Sequence, residues 1–147
     1  MTTHAGDALL RKILTETKVI AMVGASDKPH RASNGVMRFL QSRRYRVIPV
    51  NPTLAGKTLN GELVYAGLKD IPQDKTGRID MIDIFRNSAD AAAPALEAIE
   101  IGARFVWMQL GVVNEPAAAK VRAAGLAIVM DHCPAIEYPR LMDGGAD

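Results

Sequence analysis

Short apolar runs without a polar face alternate along this chain with amphipathic segments of helical spacing, and this alternation restricts the possible folds more than any other feature. Such runs are typical of strands buried on both sides. Five of them predict strands, at Lys18–Gly24, Tyr45–Val50, Ile79–Phe85, Arg104–Leu110 and Leu126–Met130. With helices between them, the fold class is α/β: a small doubly wound, mostly parallel five-stranded sheet with helices on both faces.

The helical segments carry their own start signals. A short amphipathic helix is expected around Leu9–Leu14, and a second one around Val36–Leu40. Ser33 or Asn34 is expected to cap the second helix, because both side chains can accept a hydrogen bond from a free backbone N–H.

Later segments are more irregular. Asn87–Ile101 predicts a helix with Ser88 as its N-cap and a kink at Pro94, and Glu115–Ala124 predicts another. Glycine, asparagine and proline in Thr53–Gly77 indicate a segment that is mostly loop, with a short strand expected at Leu63–Tyr65.

Composition excludes several classes of protein. The 147 residues, 48% apolar and 23% charged, are typical of one globular domain over residues 1–147. A net charge of +2 does not require a nucleic-acid or membrane partner. One cysteine and three histidines exclude a disulfide framework and a Cys-rich zinc site, and no metal is expected. No apolar run reaches a transmembrane length and Met1–Thr17 does not resemble a signal peptide, so a cytoplasmic location is expected.

Ligands of a doubly wound sheet bind beyond the carboxyl ends of the strands, where the strand order switches. The residues that follow the predicted strands are mainly small, basic and amide side chains. They are Gly24, Ala25, Ser26, Lys28, Arg31 and Ser33 after the first strand, Asn51, Pro52 and Lys57 after the second, Arg86, Asn87 and Ser88 after the third, Gln109, Gly111 and Asn114 after the fourth, and Asp131, His132 and Cys133 after the fifth.

The first of these loops is suited to an anion. Gly24 permits a tight turn, and the start of the next helix offers unpaired N–H groups. Ser26 and Ser33 add hydroxyl donors, while Lys28 and Arg31 add positive charge. The alternative is a plain connection with solvated basic residues, but polar residues at the other strand ends favour a binding site.

A nicotinamide dinucleotide site is not indicated. The loop GASDKPHRASNG has Ser26 in place of the second glycine of the G-x-G-x-x-G fingerprint. The second strand ends in Val50-Asn51-Pro52, which offers no carboxylate for a ribose diol. A ribose that carries a phosphate would instead favour a base such as Lys57.

The motifs GAS…R-x-S, VIPVNP…GK, DIFRNS, WMQLGV and DHCPAIE occur in this order between Val19 and Leu141. In these motifs the chain resembles the stand-alone coenzyme A-binding proteins of bacteria. That family is similar to the N-terminal CoA-binding domain of succinyl-CoA synthetase alpha chains and of ADP-forming acyl-CoA synthetases. The resemblance implies a Rossmann-like domain that holds CoA across the carboxyl edge of its sheet.

The resemblance also implies a place for each part of the ligand. Gly24, Ala25 and Ser26 would lie near the pyrophosphate, with Lys28, Arg31 and Ser33 on the same side; Val50, Asn51, Pro52 and Lys57 would line the adenosine 3′-phosphate end, Phe85 and Arg86 the adenine side, and Gln109 and Gly111 the pantetheine arm.

Other polar residues are expected to be structural. His132 and Cys133 point to opposite faces of an extended segment and make a poor catalytic pair. Asp80 and Asp83 also lie on opposite faces of their strand, and Asp83 is expected to be half-buried and bonded to a neighbouring backbone group or base. His4 is expected in a frayed terminus.

The remaining notable residues also have structural explanations. His30 is expected to be a solvated loop residue, and Trp107 belongs to the core. The basic residues Arg43, Arg44 and Arg46 lie at the opposite edge from the candidate site, where a helix C-terminus favours cations.

The expected function is therefore binding of CoA or an acyl-CoA without catalysis, as a carrier, sensor or regulatory module, with a protein partner left open. The ligating relatives use a phosphohistidine on a second domain, for which we find no counterpart in this sequence. The alternatives are a small enzyme, acyl-transferring or NAD(P)-dependent, that completes its site with a partner chain, and an interaction module whose crevice stays empty.

Overall fold

A computed structural model describes residues 6–143. In chain order its elements are α1 (Asp7–Glu16), β1 (Val19–Val23), α2 (Ala32–Ser42), β2 (Arg46–Val50), β3 (Thr58–Leu59), β4 (Glu62–Leu63), a 3₁₀ turn (Leu68–Asp70), α3 (Gln73–Thr76), β5 (Met81–Ile84), α4 (Ala92–Glu100), β6 (Phe105–Met108), α5 (Glu115–Ala123), β7 (Ala127–Val129) and α6 (Pro134–Met142). His4 lies outside the described residues.

The five predicted strands form one parallel sheet in the order β2-β1-β5-β6-β7. The chain goes from β1 outward to β2 and then returns to the other side of β1 with β5. The strand order therefore switches between β1 and β5, where a ligand crevice is expected. The prediction of a doubly wound, Rossmann-like α/β sheet is confirmed.

Helices cover both faces of the sheet. Strand residues such as Met22 and Trp107 belong to the apolar cluster that includes residues of α1, α2 and α6. Their neighbours, such as Ile82 and Val106, belong to the cluster that includes residues of α4 and α5. Trp107 is fully buried, as predicted, and its indole N–H donates to the His132 carbonyl at 2.9 Å.

Neither Ser33 nor Asn34 caps α2, so that prediction is wrong. The helix starts earlier, at Ala32, with Arg31 at the N-cap position and no side-chain cap. Ser33 and Asn34 are buried in its first turn, where their side chains face the protein rather than the helix end.

The predicted start of α4 is also wrong. Asn87 and Asp90 form a turn in which the Asn87 Oδ1 accepts from the Asp90 N–H at 2.8 Å, and the helix begins at Ala92. Ser88 is consequently not a cap. Pro94 lies in the first helical turn, where no intrahelical N–H bond is lost, and the expected kink has no cause there.

Helix α6 was not predicted from the sequence; it begins with Pro134 and contains Pro139. Within the segment predicted as mostly loop, the short strand expected at Leu63–Tyr65 overlaps β4 at Leu63 and pairs with β3. Strand β3 and the short α3 were missed. At the far edge, the Arg43 guanidinium packs over the Phe39 ring at 4.7 Å. No helix among residues 6–143 is long and apolar enough to cross a membrane.

Candidate functional site

A cleft of about 560 Å³ opens at the switch between β1 and β5, beyond the carboxyl ends of the strands. This volume is in the range of small-molecule sites. The residues that line it are Gly24, Ala25, Ser26, Asp27, Lys28, Arg31, Ala32, Ser33, Asn51, Thr53, Leu54, Phe85, Arg86, Asn87, Gln109, Leu110 and Val112.

Most of the residues chosen from the sequence meet in this cleft. Those that line it are Gly24, Ala25, Ser26, Lys28, Arg31, Ser33, Asn51, Phe85, Arg86 and Gln109. The other four do not. Val50 is buried beneath the loop, and Pro52 and Lys57 are exposed beyond the cleft wall. Gly111 is turned away and donates its N–H to the Asp131 carboxylate at 2.7 Å.

Gly24 brings the loop after β1 close to the end of β5. Its φ of +88° lies in the region that favours glycine, and a Cβ at this position would stand 2.1 Å from the Phe85 carbonyl oxygen. A side chain here would therefore both strain the backbone and push apart the two strand ends that form the cleft.

Two asparagine side chains fix the carbonyls of the same loop. The Asn51 Nδ2 donates to the Ala25 carbonyl at 2.8 Å, and the Asn34 Nδ2 donates to the Ser26 carbonyl at 2.9 Å. Asn51 also accepts the Thr53 N–H at 2.8 Å. Because both carbonyls are held by the protein, the negative ends of these peptide dipoles are neutralised by internal donors.

The N–H groups of the loop are left available. Among residues 6–143, the backbone amides of Ser26, Asp27, Ala32 and Ser33 make no hydrogen bond. Ala32 and Ser33 belong to the first turn of α2, whose amides have no partner within the helix and whose dipole is positive at this end. Unpaired N–H groups at a helix start are a ready site for an anion.

The charge of the cleft favours the same ligand class. Lys28, Arg31 and Arg86 bring three cations to its wall, against one carboxylate, Asp27. None of the three cations makes an ion pair within the described part of the chain. The cleft therefore combines unpaired cations with unpaired N–H donors, which suits a phosphate or diphosphate group.

A buried carboxylate lies under the cleft. Asp83 in β5 is fully buried, and its Oδ1 accepts from the Gln109 Nε2 at 2.7 Å while its Oδ2 has no partner among the described residues. Burial raises the pKa of Asp83 to about 7, against the lowering effect of the Gln109 bond. Its expected half-burial and its expected partners, a backbone group or a base, are both wrong; the partner is an amide side chain.

The other polar residues singled out in the sequence lie apart from the cleft. Asp80 accepts the Lys18 and Val19 N–H groups at 2.9 and 3.0 Å, at the opposite end of β5. Cys133 is buried at the start of α6, and burial raises the pKa of its thiol. His132 is half-buried, with its Nδ1 2.8 Å from the Met130 carbonyl oxygen.

Among the described residues, no group of three or more His, Cys, Asp or Glu side chains is placed to hold a metal ion. The charged groups that line the cleft are three cations and one carboxylate, Asp27. His30, on the loop between β1 and α2, is exposed to solvent, as expected.

Comparison with known protein families gives one decisive match. The family model described as a CoA binding domain matches residues 18–139. This chain belongs to the CoA-binding domain family. The match begins at β1 and ends within α6, so it includes every element that contributes a residue to the cleft.

Individual relatives agree with this family. The Bacillus subtilis protein YneT is 37% identical over 126 residues, which are 86% of this chain and 89% of YneT. A hypothetical protein from Pyrococcus horikoshii OT3 has a solved structure that matches with a TM-score of 0.86 at 38% identity, over 94% of this chain and 93% of that one.

The same fold occurs within a larger enzyme. The dinucleotide forming acetyl-coenzyme A synthetase 1 of Ca. Korarchaeum cryptofilum, in its apo form, matches with a TM-score of 0.62 at 21% identity. The match covers 76% of this chain and 25% of the synthetase chain. At this identity the likeness concerns the fold alone.

Sequence reasoning missed several parts of the cleft of this CoA-binding domain. Leu110 and Val112 line it although they are apolar, and Thr53 and Leu54 line it from the segment predicted as loop. Asn34, expected as a cap, holds the Ser26 carbonyl instead. A search for polar residues at the strand ends could not have found these residues. Apolar wall residues, and side chains that hydrogen-bond to a neighbouring loop, have no distinctive local sequence pattern.

Proposed function

We propose that this protein binds coenzyme A or an acyl-CoA in the cleft between β1 and β5, with the pyrophosphate at the loop after Gly24 and the start of α2. The observation that carries the proposal is the meeting, in one cleft, of four unbonded backbone N–H groups with the unpaired cations Lys28, Arg31 and Arg86. Membership of the CoA-binding domain family supports the choice of ligand.

The ligand would extend from this phosphate site in two directions. Phe85 is half-buried at the cleft wall and suits an adenine ring. Gln109, Leu110 and Val112 make a wall with one polar group and two apolar ones, which suits a pantetheine arm. Lys57 follows Leu54 by one turn, its N–H donating to the Leu54 carbonyl at 3.0 Å, and is proposed to reach the 3′-phosphate from outside the cleft.

We further propose that binding is the activity of this domain itself, as a carrier, sensor or regulatory module. Among the described residues that line the cleft, the hydroxyls are those of Ser26, Ser33 and Thr53, and the lining contains neither histidine nor cysteine. A serine or threonine nucleophile needs an adjacent base. The charged groups of this wall are the exposed Asp27 carboxylate and three cations, Lys28, Arg31 and Arg86. These observations favour a binding protein over an acyl-transferring enzyme.

Calorimetric and thermal-shift titration with CoA, acetyl-CoA, dephospho-CoA, NAD, NADP and ATP tests the proposal. A ligand that binds only the folded protein adds about 2.7 kcal/mol at 100 times its Kd. We expect stabilisation by CoA and acetyl-CoA and little by NAD. Stabilisation by NAD or NADP alone would support the enzyme alternative, and no stabilisation by any ligand would support an interaction module.

Two variants locate the ligand. Arg31→Ala is expected to weaken CoA by about 1.5–3 kcal/mol, the loss of a charge-assisted bond. Arg122→Ala is its control, because Arg122 is exposed near the end of α5, at the opposite edge of the sheet.

Lys57→Ala is expected to weaken the binding of CoA more than that of dephospho-CoA, because only CoA carries the 3′-phosphate. An equal loss for both ligands would show that Lys57 does not contact the 3′-phosphate.

A further inference from the structure

The pair formed by Asp83 and Gln109 is a polar arrangement beneath the cleft that the phosphate site does not use. Asp83 has apolar neighbours on both sides: it pairs across the sheet with Met22 in β1 and Trp107 in β6. Burial and the negative charge of Asp83 both raise the pKa of the Cys133 thiol at the start of α6. No charged group of the described chain compensates its carboxylate.

Such a carboxylate is costly for the fold. A buried acid with one oxygen unpaired is less favourable than an apolar or amide side chain of the same size. The ligand cannot supply the missing bond, because Asp83 Oδ2 is closed to solvent. The residue therefore cannot touch a ligand, and any effect on binding has to pass through Gln109.

Gln109 has two different ends, and Asp83 selects between them. A carboxylate can only accept, so it requires the Nε2 of Gln109 to face it, as the 2.7 Å contact shows. The amide oxygen of Gln109 is then left over. It has no partner among the described residues and is not among their buried unpaired atoms, so it is open to the cleft that Gln109 lines.

We propose that Asp83 is a positioning residue that holds the Gln109 amide with its carbonyl toward the cleft, where it accepts a hydrogen bond from an amide N–H of the pantetheine arm. This inference rests on the proposed function and specifies the hydrogen bond at this point of the wall: the protein accepts, and the ligand donates. A thioester or amide carbonyl, which can only accept, is disfavoured at this point.

The test compares ligands with and without the arm. Titrations at pH 8 use CoA, acetyl-CoA and adenosine 3′,5′-bisphosphate, which lacks pantetheine. Gln109→Leu is expected to weaken CoA and acetyl-CoA equally, by about three- to tenfold for a lost neutral hydrogen bond, and to leave the bisphosphate unchanged. Asp83→Asn presents both a donor and an acceptor to Gln109, so a smaller loss, about two- to fivefold, is expected for the same two ligands.

Asp80→Asn is the matched control, because Asp80 also holds neighbouring groups in place but at the far end of the same strand. It is expected to leave the ratio of CoA to bisphosphate affinity unchanged. A structural role for Asp83 would instead lower the affinity for both kinds of ligand by the same factor, and that result would overturn the proposal. A loss for CoA without one for acetyl-CoA would also overturn it, by placing the donor at the thiol.

The unmodified protein provides a second readout. In NMR spectra, the side-chain amide of Gln109, assigned through its own backbone resonances, is expected to shift on addition of CoA and not of the bisphosphate. The chemical shift of this amide is also expected to change with pH as Asp83 ionises, and this pH dependence is expected to be absent in Asp83→Asn. If the wild-type protein binds no CoA, the proposed function fails. If it binds CoA, but CoA does not shift the Gln109 amide signal and the Gln109→Leu and Asp83→Asn variants bind CoA as the wild type does, the proposed function stands and only the role of Asp83 and Gln109 is refuted.

Discussion

At the residue scale, the shape of the cleft depends on a few residues whose environments are unusual. Gly24 is one of them. Its backbone conformation alone favours glycine, but the same is true of Gly56, which has the same φ of +88°. What distinguishes Gly24 is the Phe85 carbonyl, 2.1 Å from the place of a Cβ, whereas a Cβ at Gly56 would meet nothing within 4 Å.

This difference predicts unequal costs for Gly24→Ala and Gly56→Ala. The left-handed backbone costs an alanine roughly 1–2 kcal/mol in either place. At Gly24 the backbone clash adds to this, so we expect a free energy of unfolding at least about 2 kcal/mol lower than that of Gly56→Ala. Urea denaturation measures both, and CoA titration should show a loss for Gly24→Ala alone. Equal stability of the two variants would contradict the close approach of Gly24 and Phe85.

At the element scale, α2 and the loop before it form one unit. The asparagines that clip the loop come from two elements, Asn34 from the first turn of α2 and Asn51 from the end of β2. Together they hold the loop carbonyls so that its N–H groups and the start of α2 are fixed before a ligand arrives. Preorganisation of this kind raises affinity by lowering the ordering cost of binding.

Asn51→Ala tests this unit. The variant loses one donated and one accepted backbone hydrogen bond, and we expect about 1–2 kcal/mol of lost stability and a three- to tenfold weaker CoA affinity. Asn114→Ala is a matched control, because the Asn114 side chain also donates to one backbone group, of Ser88, and accepts from another, of Ala117.

The control is expected to lose similar stability, as an N-cap of α5, but no CoA affinity. Chemical denaturation and calorimetry on the two variants give both quantities. If Asn114→Ala weakens CoA binding as much as Asn51→Ala does, the affinity depends on overall stability, and the hydrogen bonds from Asn51 and Asn34 to the loop have no specific role in binding.

At the scale of the whole molecule, the buried Asp83 links the stability of the fold to pH. Its pKa is about 7 in the folded protein and 3.8 in its ordinary state. Between these values the folded protein keeps a proton that the unfolded chain has lost. The contribution of Asp83 to stability therefore falls as pH rises from about 4 to about 7 and is constant above. The total loss of stability over this range is about 4 kcal/mol.

Asp83→Asn removes this dependence. The free energy of unfolding of the variant minus that of the wild type is expected to increase by about 3 kcal/mol between pH 5 and pH 8. The wild type loses about 1.4 kcal/mol for each of the two pH units between pH 5 and pH 7, and the variant does not. Denaturant titrations at pH 5, 6, 7 and 8 measure it, and all other groups cancel in the difference. A difference that stays constant over this range would show that Asp83 is ionised throughout.

Local sequence was sufficient for the sheet and for much of the cleft. Continuous apolar runs such as Tyr45–Val50 predict buried strands because parallel strands covered on both faces have no polar side. Once the strands are known, the rule that ligands bind at their carboxyl ends places Gly24, Arg31 and Gln109 at one edge, since all parallel strands end there. The resemblance of the motifs then indicated the ligand family.

Tertiary structure decided what those residues contact. Whether Asn34 caps a helix or holds a neighbouring loop depends on what lies within hydrogen-bond distance, which local sequence does not specify. The same holds for Asp83, which is fully buried in the central strand β5 between β1 and β6. Helix α6 contains Pro139, and its packing against α1 and α2 outweighs the weak local preference for helix there.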